Sequence, residues 1–238
     1  MTQNNLGLAY LRLGERQSGI EGTESLRAAV TAYQNALQVF TKESLPRAWA
    51  IAQNNLASAY ISQKKWGEAA QALENGLTVY PTAIEGLARA EWIYQDRLFR
   101  FDRAFELNAK RVELGDGELP FIETHLTTAR FGGCATRAAA LRTETSEKNR
   151  QIMLTALRFA CLAADQKTAD ALAAGRQLLK DIPGLGKIDW SFGGVKHFVS
   201  QHPAFAAKAG AWVELFEALE QGDEVKARAS LAALGVLE

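Results

Sequence analysis

Cysteine is scarce in this sequence, and its scarcity excludes two classes of protein. The 238 residues include only two cysteines, Cys134 and Cys161. Two widely separated cysteines are too few for the disulfide framework of a small secreted domain or for a four-ligand zinc site. We therefore expect both to be small buried thiols in a reducing compartment.

An excess of one charge and a long apolar run are also absent. Lys and Arg total 27, and so do Asp and Glu, so the formal net charge is zero. General nucleic-acid and membrane-surface binders carry a basic excess, which argues against both kinds of partner. No apolar run approaches the roughly 20 residues that span a bilayer, and Met1–Asn5 lacks the basic-then-apolar pattern of a secretory signal. The sequence therefore predicts a cytoplasmic protein with no nucleic-acid or membrane partner.

The most regular stretch of the chain covers residues 53–81. Leu56 and Tyr60 lie four positions apart and so fall on one face of a first helix, and Ala69 and Leu73 do the same on a second helix. These two apolar faces predict a pair of antiparallel helices. One such pair cannot cover its own apolar surface, so about three or more must stack.

The same stretch has the residue order of a tetratricopeptide repeat, W-x2-L-G-x2-Y, then A-x3-F, then P. Gln53 stands in place of the Trp, Ala57 in place of the Gly, and Pro81 closes the motif. The spacing from Leu56 through Ala69 to the proline fits the pattern without a gap. The chain therefore resembles the tetratricopeptide-repeat (TPR) family, and this resemblance implies a binding scaffold built from helix hairpins.

The beginning of the chain repeats the pattern with a longer period. Residues 3–10 align on residues 53–60, fifty positions later, whereas the plain repeat takes about 34 residues. We place part of the excess in a polar loop at 15–25, with Thr23 as the N-cap of the helix after it, and the rest at 41–47. Longer repeats of this kind resemble TPR arrays of large bacterial multidomain proteins.

Helical periodicity continues through residues 82–238 in a weaker form. It predicts helices over 84–98, 102–114, 121–126, 131–141, 147–164, 167–180, 195–201, 203–220 and 223–234. The fold that we predict is all-α, a single α-solenoid domain over 1–238 with about six helix pairs in a right-handed superhelix. Clear repeats occupy 1–81, and degenerate TPR-like pairs occupy 82–238.

The TPR resemblance also implies a binding groove, because the concave wall of a TPR superhelix comes mostly from the first helix of each pair. The residues that the pattern exposes there are Asn4, Leu8, Arg12, Asn54, Asn55, Ser58, Ser62 and Trp92. We predict that these residues bind a protein or peptide partner.

One of these residues matches a known TPR contact only in part. Asn55 aligns with an asparagine that contacts the peptide backbone in TPR clamps, and it can equally hydrogen-bond a neighbouring helix. The other clamp positions are occupied by Leu8 and Ser58 and by Asn4 and Asn54. The remaining asparagine and the lysine of the clamp are therefore missing, which argues against binding of chaperone C-terminal carboxylates.

No constellation of side chains predicts catalysis, metal binding or a cofactor. His125 lies among apolar residues and is interpreted as a core histidine. With Cys134 it would supply a nucleophile and a base, but no orienting third group or glycine-rich oxyanion turn lies nearby in sequence. His197 and His202 are five positions apart and do not share a helix face. Residues 184–187 fail the P-loop motif because the hydroxyl residue is missing.

Two further features have competing interpretations. Trp190 and Phe192 lie in the least repeat-like stretch, 189–197, and we interpret them as filling a gap between the fifth and last helix pairs; the alternative is an exposed partner hot spot. A basic cluster within 97–111 interleaves with acidic residues, so we interpret it as a solvated mixed face rather than a site for an acidic partner.

The sequence as a whole predicts a protein–protein interaction scaffold that holds a peptide or partner domain in its groove, without catalysis and without a cofactor. One alternative is a regulatory or sensor module of a larger bacterial protein, linked to a protease or nucleotidase domain, because the first helix begins without its opening turn. A second alternative is a thiol enzyme centred on Cys134. A third expectation is a homo-oligomer formed through the uncapped N-terminal face.

Overall fold

The computed structural model describes residues 3–236, and all regular structure within that range is helical. The helices are α1 (Gln3–Arg16), α2 (Gly19–Val39), α3 (Pro46–Ser62), α4 (Trp66–Leu77), α5 (Ile84–Asp96), α6 (Phe101–Glu113), α7 (Glu118–Thr127), α8 (Phe131–Glu144), α9 (Lys148–Ala164), α10 (Thr168–Asp181), α11 (Gly193–Gln201), a 3₁₀ segment (Pro203–Lys208), α12 (Ala209–Gln221) and α13 (Glu224–Ala233). The prediction of an all-α fold is confirmed for the described residues.

The helix bounds follow the sequence prediction closely from α3 onward. Lys64, in the turn between α3 and α4, has a left-handed backbone with φ 57°. Glycines at the predicted ends, such as Gly115 and Gly222, also have positive φ. The last pair differs, because Pro203 begins a short 3₁₀ segment before α12 starts. Local stop signals therefore set most of the helix bounds.

The described residues form two compact units. One unit contains the chain up to Tyr94 together with Glu106–Asp116. The other contains Gln95–Phe105 and the chain from Gly117 onward. Helices α5 and α6 thus contribute to both units. The prediction of one solenoid domain over 1–238 stays a prediction.

In the first unit, neighbouring helices pack in sequence order. Helix α1 packs on α2, α2 on α3 and α3 on α4, and α1 also contacts α3. Leu11, Tyr33 and Leu56 belong to one buried apolar cluster of these helices. Close approach of α1 to α2 depends on Gly7, since a Cβ atom there would lie 2.6 Å from the Tyr33 ring. A first helix thus contacts both its own partner helix and the next first helix.

The predicted polar loop at 15–25 is wrong. Helix α1 runs to Arg16 and α2 begins at Gly19, so most of this stretch is helical. Thr23 lies inside α2 rather than at its N-cap, and its hydroxyl donates to the carbonyl of Gly19 at 3.0 Å. The physical reason is tertiary, because Gly22 lets α2 extend beside the end of α1. A Cβ atom there would lie 3.2 Å from the carbonyl oxygen of Gly14 on α1 and 2.6 Å from that of Gln17 in the turn.

The second unit has one continuous apolar core. Its buried cluster extends from Ile122 on α7 to Val236. Helices α7 to α10 pack in sequence order, but α11 contacts both α12 and the much earlier α7. In a solenoid each repeat contacts only its neighbours, so this return contact departs from the predicted pattern. The superhelix therefore remains a proposal.

The prediction that Cys134 and Cys161 are free thiols is wrong. The two cysteines form a disulfide, with their Cα atoms 6.0 Å apart, and both side chains are fully buried. They lie on the neighbouring helices α8 and α9, which bring together positions that are 27 residues apart in sequence. The cysteine argument for a reducing compartment is lost with the free thiols, and the cytoplasmic location stays a prediction.

The length and the apolar character of a helix decide whether it can cross a bilayer. None of the helices within residues 3–236 combines the length and the apolar character needed to cross a bilayer.

Candidate functional site

The first helices of the first unit are joined by side-chain hydrogen bonds. Asn55 Nδ2 on α3 donates to Asn4 Oδ1 on α1 at 3.0 Å. Two turns further along α3, Ser62 Oγ donates to Glu15 Oε1 on α1 at 3.0 Å. Of the two interpretations of Asn55, the structure therefore shows the contact between helices. These bonds hold α1 and α3 side by side along one face.

A third bond of this kind joins α3 to α5. Arg89 Nη2 donates to Ser58 Oγ at 2.9 Å, and Ser58 Oγ donates in turn to the carbonyl of Asn54 at 3.2 Å. Burial lowers the pKa of the Arg89 guanidinium, and the nearby Glu85 opposes this shift. Within residues 3–236 the guanidinium makes no ion pair, and Ser58 is its one hydrogen-bond partner. Arg89 thus places a half-buried cation with spare N–H donors on this face.

The structure brings together six of the eight predicted groove residues on helices α1 and α3. We call the surface formed by α1, α3 and α5 the first-helix face, defined by Asn4, Leu8, Arg12, Asn55, Ser58, Ser62 and Arg89. Leu8 and Arg12 follow Asn4 by one and two turns of α1, and both are exposed.

The other two predicted residues are directed toward α4. The Asn54 amide lies beside Gly76, where an added Cβ atom would be 2.9 Å from its Oδ1. Trp92 packs edge-to-face on Trp66, the first residue of α4, with ring centroids 5.7 Å apart. Neither residue is among those that define the first-helix face, and the groove role predicted for Asn54 and Trp92 stays a prediction.

A second concave surface lies between α3 and α4, and the sequence prediction missed it. We call it the α3–α4 groove. Its volume is about 510 Å³, within the range of roughly 300–1,000 Å³ that is usual for ligand pockets. The residues that line it come from both helices: Gln53, Leu56, Tyr60, Gly67, Glu68, Gln71, Ala72 and Asn75.

Gln53 lies at the base of this groove. Its side chain is only 7% exposed, yet its amide makes no hydrogen bond with any described residue. On the α4 wall, Gln71 Nε2 donates to Asn75 Oδ1 at 3.2 Å. A sequence signal existed, because Gln53 stands where the repeat pattern has a much larger Trp. A shorter polar residue at this position leaves space and directs an amide into the groove.

The groove and the first-helix face lie on opposite sides of α3. Successive residues of an α-helix are rotated by about 100°. By this rotation, positions 53, 56 and 60 fall on one side of α3, and positions 55, 58 and 62 fall on the other. The two surfaces can therefore bind different partners, or be altered separately by mutation.

The aromatic residues of the 189–197 stretch are packed inside the second unit. Phe192 is fully buried and packs against Phe216, with ring centroids 5.0 Å apart. Trp190 is partly buried, and its Nε1 donates to Glu123 Oε1 at 2.8 Å. The interpretation of these residues as filling residues is confirmed. They pack against α7 and α12 rather than in a gap after the fifth helix pair.

The histidines have packing roles. His125 is half-buried between aromatic rings, its Nδ1 lies 2.7 Å from the Phe121 carbonyl oxygen, and burial lowers its pKa. His197 stacks on Phe99 with ring centroids 3.8 Å apart. Among the described residues no His, Cys, Asp and Glu side chains gather in a group that could hold a metal ion. Cys134, in a disulfide, has no thiolate to act as a nucleophile.

The basic cluster at 97–111 is partly internal. Arg111 is buried in the first unit, where it pairs with Glu91 at 3.1 Å and also with Asp116. These two carboxylates neutralise the guanidinium, so Arg111 is not available to an acidic partner.

Comparison with known proteins does not assign the chain to a family. No protein-family model matches it, and no curated protein matches it either. The TPR resemblance therefore stays a prediction from the residue pattern at 53–81.

Proposed function

We propose that this chain is a TPR-like scaffold that binds a peptide or an extended segment of a partner protein across its first-helix face. The observation that supports this proposal is the row of hydrogen bonds that joins α1, α3 and α5: Asn4 to Asn55, Glu15 to Ser62 and Ser58 to Arg89. These bonds fix the helices side by side. A partner would then meet a preorganised surface, and preorganisation lowers the entropic cost of binding.

The chemistry of this face favours an acidic partner segment. Arg89 carries a permanent charge. Its guanidinium makes one hydrogen bond with the described residues, and the acceptor is the neutral hydroxyl of Ser58. A guanidinium forms its strongest hydrogen bonds with carboxylates, often in a bidentate geometry. A partner Asp or Glu side chain would supply the anion that this arginine lacks. Exposed Leu8, on the same face, would contact an apolar side chain of the partner.

The experiment begins with selection of peptides from a random display library on the intact chain, followed by fluorescence anisotropy on the recovered sequences. Recovered peptides should be enriched in Asp and Glu. The Arg89→Gln variant should bind them about tenfold more weakly, as expected for the loss of a charge-assisted hydrogen bond. Arg27→Gln removes an exposed arginine of α2 and should leave binding unchanged.

Two results would contradict the proposal. If the recovered peptides are not enriched in Asp and Glu, Arg89 does not recognise an acidic segment. Equal affinity for the intact chain and for the Arg89→Gln and Leu8→Ser variants would remove the first-helix face as the binding surface.

A further inference from the structure

We propose that the α3–α4 groove is a second binding site, which takes a short extended peptide segment that carries a lysine or arginine. This site lies on the side of α3 opposite to the first-helix face. The inference is therefore independent of the function proposed for that face, and each can fail without the other.

The Gln53 amide is accessible from the groove and makes no hydrogen bond with any described residue. The residue as a whole is only 7% exposed, and neither of its amide atoms is among the fully buried unpaired ones, so the accessible part of Gln53 includes the amide that lines the groove. A ligand that supplies both a donor and an acceptor would satisfy both ends of this amide.

The α4 wall of the groove carries a second donor and acceptor pair. The bond between Gln71 and Asn75 uses Gln71 Nε2 and Asn75 Oδ1. It leaves Gln71 Oε1 as an acceptor and Asn75 Nδ2 as a donor, and neither has another partner in the described structure. A peptide backbone offers an N–H and a C=O at each residue. An extended peptide can therefore bond to both walls, as a strand does when it lies between two others.

The groove has the length and the floor that a short extended peptide needs. Its wall on α3 runs from Gln53 to Tyr60, which at about 1.5 Å per residue is roughly 10 Å. An extended chain rises about 3.3 Å per residue, so this length accommodates about three residues. Leu56 and Ala72 give the groove an apolar floor on which a side chain of the peptide can pack.

The charge of the groove favours a basic peptide. Glu68 is the one charged residue among those that line the groove. Its carboxylate makes no ion pair within the described residues, even with Lys65 one turn before it. Lys65 instead lies 6.0 Å from the centroid of the Tyr60 ring. A lysine or arginine of the peptide would pair with Glu68, whereas an acidic residue would be repelled.

The test is a titration followed by NMR of the side-chain amide groups of the full chain. The probes are two mixtures of capped pentapeptides, one with Lys and one with Glu fixed at the centre. The Lys mixture should shift the amide signals of Gln53, Gln71 and Asn75, and the Glu mixture should bind at least fivefold more weakly. N-acetylglucosamine and acetamide serve as competing probes, and a stronger response to either would overturn the choice of a peptide.

Matched variants separate binding from folding. Gln53→Leu should weaken binding of the Lys mixture five- to tenfold without lowering the thermal midpoint, because the Gln53 amide makes no hydrogen bond with any described residue. Asn75→Ala changes the α4 wall of the groove and leaves Gln53 at its base unchanged, and it should also weaken binding. Gln38→Leu changes an exposed glutamine of α2 and should change nothing. Unaltered binding by both groove variants would overturn the site.

The outcome does not depend on the first-helix face. The Arg89→Gln variant should bind the Lys mixture as the intact chain does. If Arg89→Gln weakens this binding while Gln53→Leu does not, the peptides occupy the first-helix face and the groove proposal is wrong.

Discussion

Tyr33 is a buried side chain whose ring packs between helices but whose hydroxyl is unpaired among the described residues. It is fully buried, and its hydroxyl has no hydrogen-bond partner within residues 3–236. Burial raises its pKa to about 12, with a smaller contribution from the Glu15 carboxylate and an opposing one from Arg12. The ring is needed against Gly7 in α1, but the hydroxyl contributes no bond to the fold.

We therefore expect Tyr33→Phe to raise the free energy of unfolding by up to about 1 kcal/mol, because an unsatisfied buried hydroxyl is removed. The effect should grow above pH 10. There the unfolded tyrosine ionises while the folded one stays protonated up to about pH 12, so the intact chain loses stability that the variant keeps. Urea denaturation at neutral and alkaline pH measures both effects. Destabilisation at neutral pH would show that the hydroxyl is bonded.

Gly194 and Gly210 make a matched pair of substitutions. A Cβ atom at Gly194 would lie 2.6 Å from the Gln95 carbonyl oxygen, whereas at Gly210 nothing lies within 4 Å. Gly194→Ala should therefore lower the free energy of unfolding by about 1–3 kcal/mol, the usual cost of overpacking. Gly210→Ala should raise it by about 0.5 kcal/mol, because alanine is the better helix former. Equal effects of the two substitutions, measured by urea denaturation, would contradict the close approach of α11 to Gln95.

Helix α11 is held at its N-terminus by a carboxylate from α5. Asp96 Oδ1 accepts a hydrogen bond from the Gly194 backbone N–H at 2.8 Å. Burial raises the pKa of Asp96, and Glu220 raises it further, while the bonds from Gly194 and Ser191 and the charge of Arg97 lower it. Lys196, on α11 itself, pairs with Glu220 at 2.6 Å. The net direction is upward, so burial outweighs the helix N-terminus.

This direction predicts a pH effect on stability. A carboxyl whose folded pKa lies above its ordinary value of 3.8 binds more protons in the folded state, so its contribution to stability falls as pH rises through the folded pKa. In Asp96→Asn the side chain cannot ionise, so the variant does not lose this stability as pH rises. The variant should therefore gain stability relative to the intact chain between pH 4 and pH 7, by about 1.4 kcal/mol for each unit of pKa shift.

Urea denaturation at the two pH values measures this difference for Asp96→Asn. Asp189→Asn, on an exposed aspartate of the 189–197 stretch, is the control. If the relative stability of Asp96→Asn falls as pH rises, the helix end stabilises the carboxylate, and folding lowers the pKa of Asp96 rather than raising it.

The disulfide joins two helices of the second unit. The bond closes a loop between positions that are 27 residues apart in sequence, which restricts the unfolded chain and stabilises the folded state by about 3.5 kcal/mol in the chain-entropy model. We expect the Cys134→Ala, Cys161→Ala variant to lose about that amount. The single Cys161→Ala variant should lose nearly as much, because either change breaks the same bond.

Alkylation of the unfolded but unreduced chain gives a direct control for the bond. Neither cysteine should be modified before reduction, and both should be modified after it. Modification of both without a reductant would show that the native protein contains two thiols.

For the whole molecule, the expectation of a homo-oligomer can be tested at α1. Leu6 is 39% exposed and Leu13 is 45% exposed, and their separation of seven positions puts them on one helix face. We expect a mass above 26.0 kDa in sedimentation at high concentration. The Leu6→Glu, Leu13→Glu variant should lower it to that of one chain.

The matched control is Val225→Glu, which adds the same charge at a valine of α13 that is 78% exposed. It should leave the mass unchanged. A mass of one chain at every concentration of the intact protein would contradict self-association through α1.

Most of the helix bounds could be predicted because the signals for them are local. Helical periodicity in 147–164 and the stop at Pro183 need no knowledge of the rest of the chain. The start of α2 could not be found in this way, since Gly22 is favourable there only because α1 lies beside it. The candidate sites divide similarly. Asn55 and Ser58 were identified from their repeat positions, whereas Arg89 and the groove at Gln53 depend on how helices meet.

The sequence by itself determined that this protein is helical, where most helices begin and end, and that α3 and α4 form a pair, because apolar spacing and stop residues act within one or two turns. Only the tertiary structure decided that Cys134 bonds to Cys161, that Asp96 meets the start of α11 and that Gln53 lines a groove between α3 and α4. The physical reason is that each of these depends on the distance between side chains of different helices, which local periodicity does not specify.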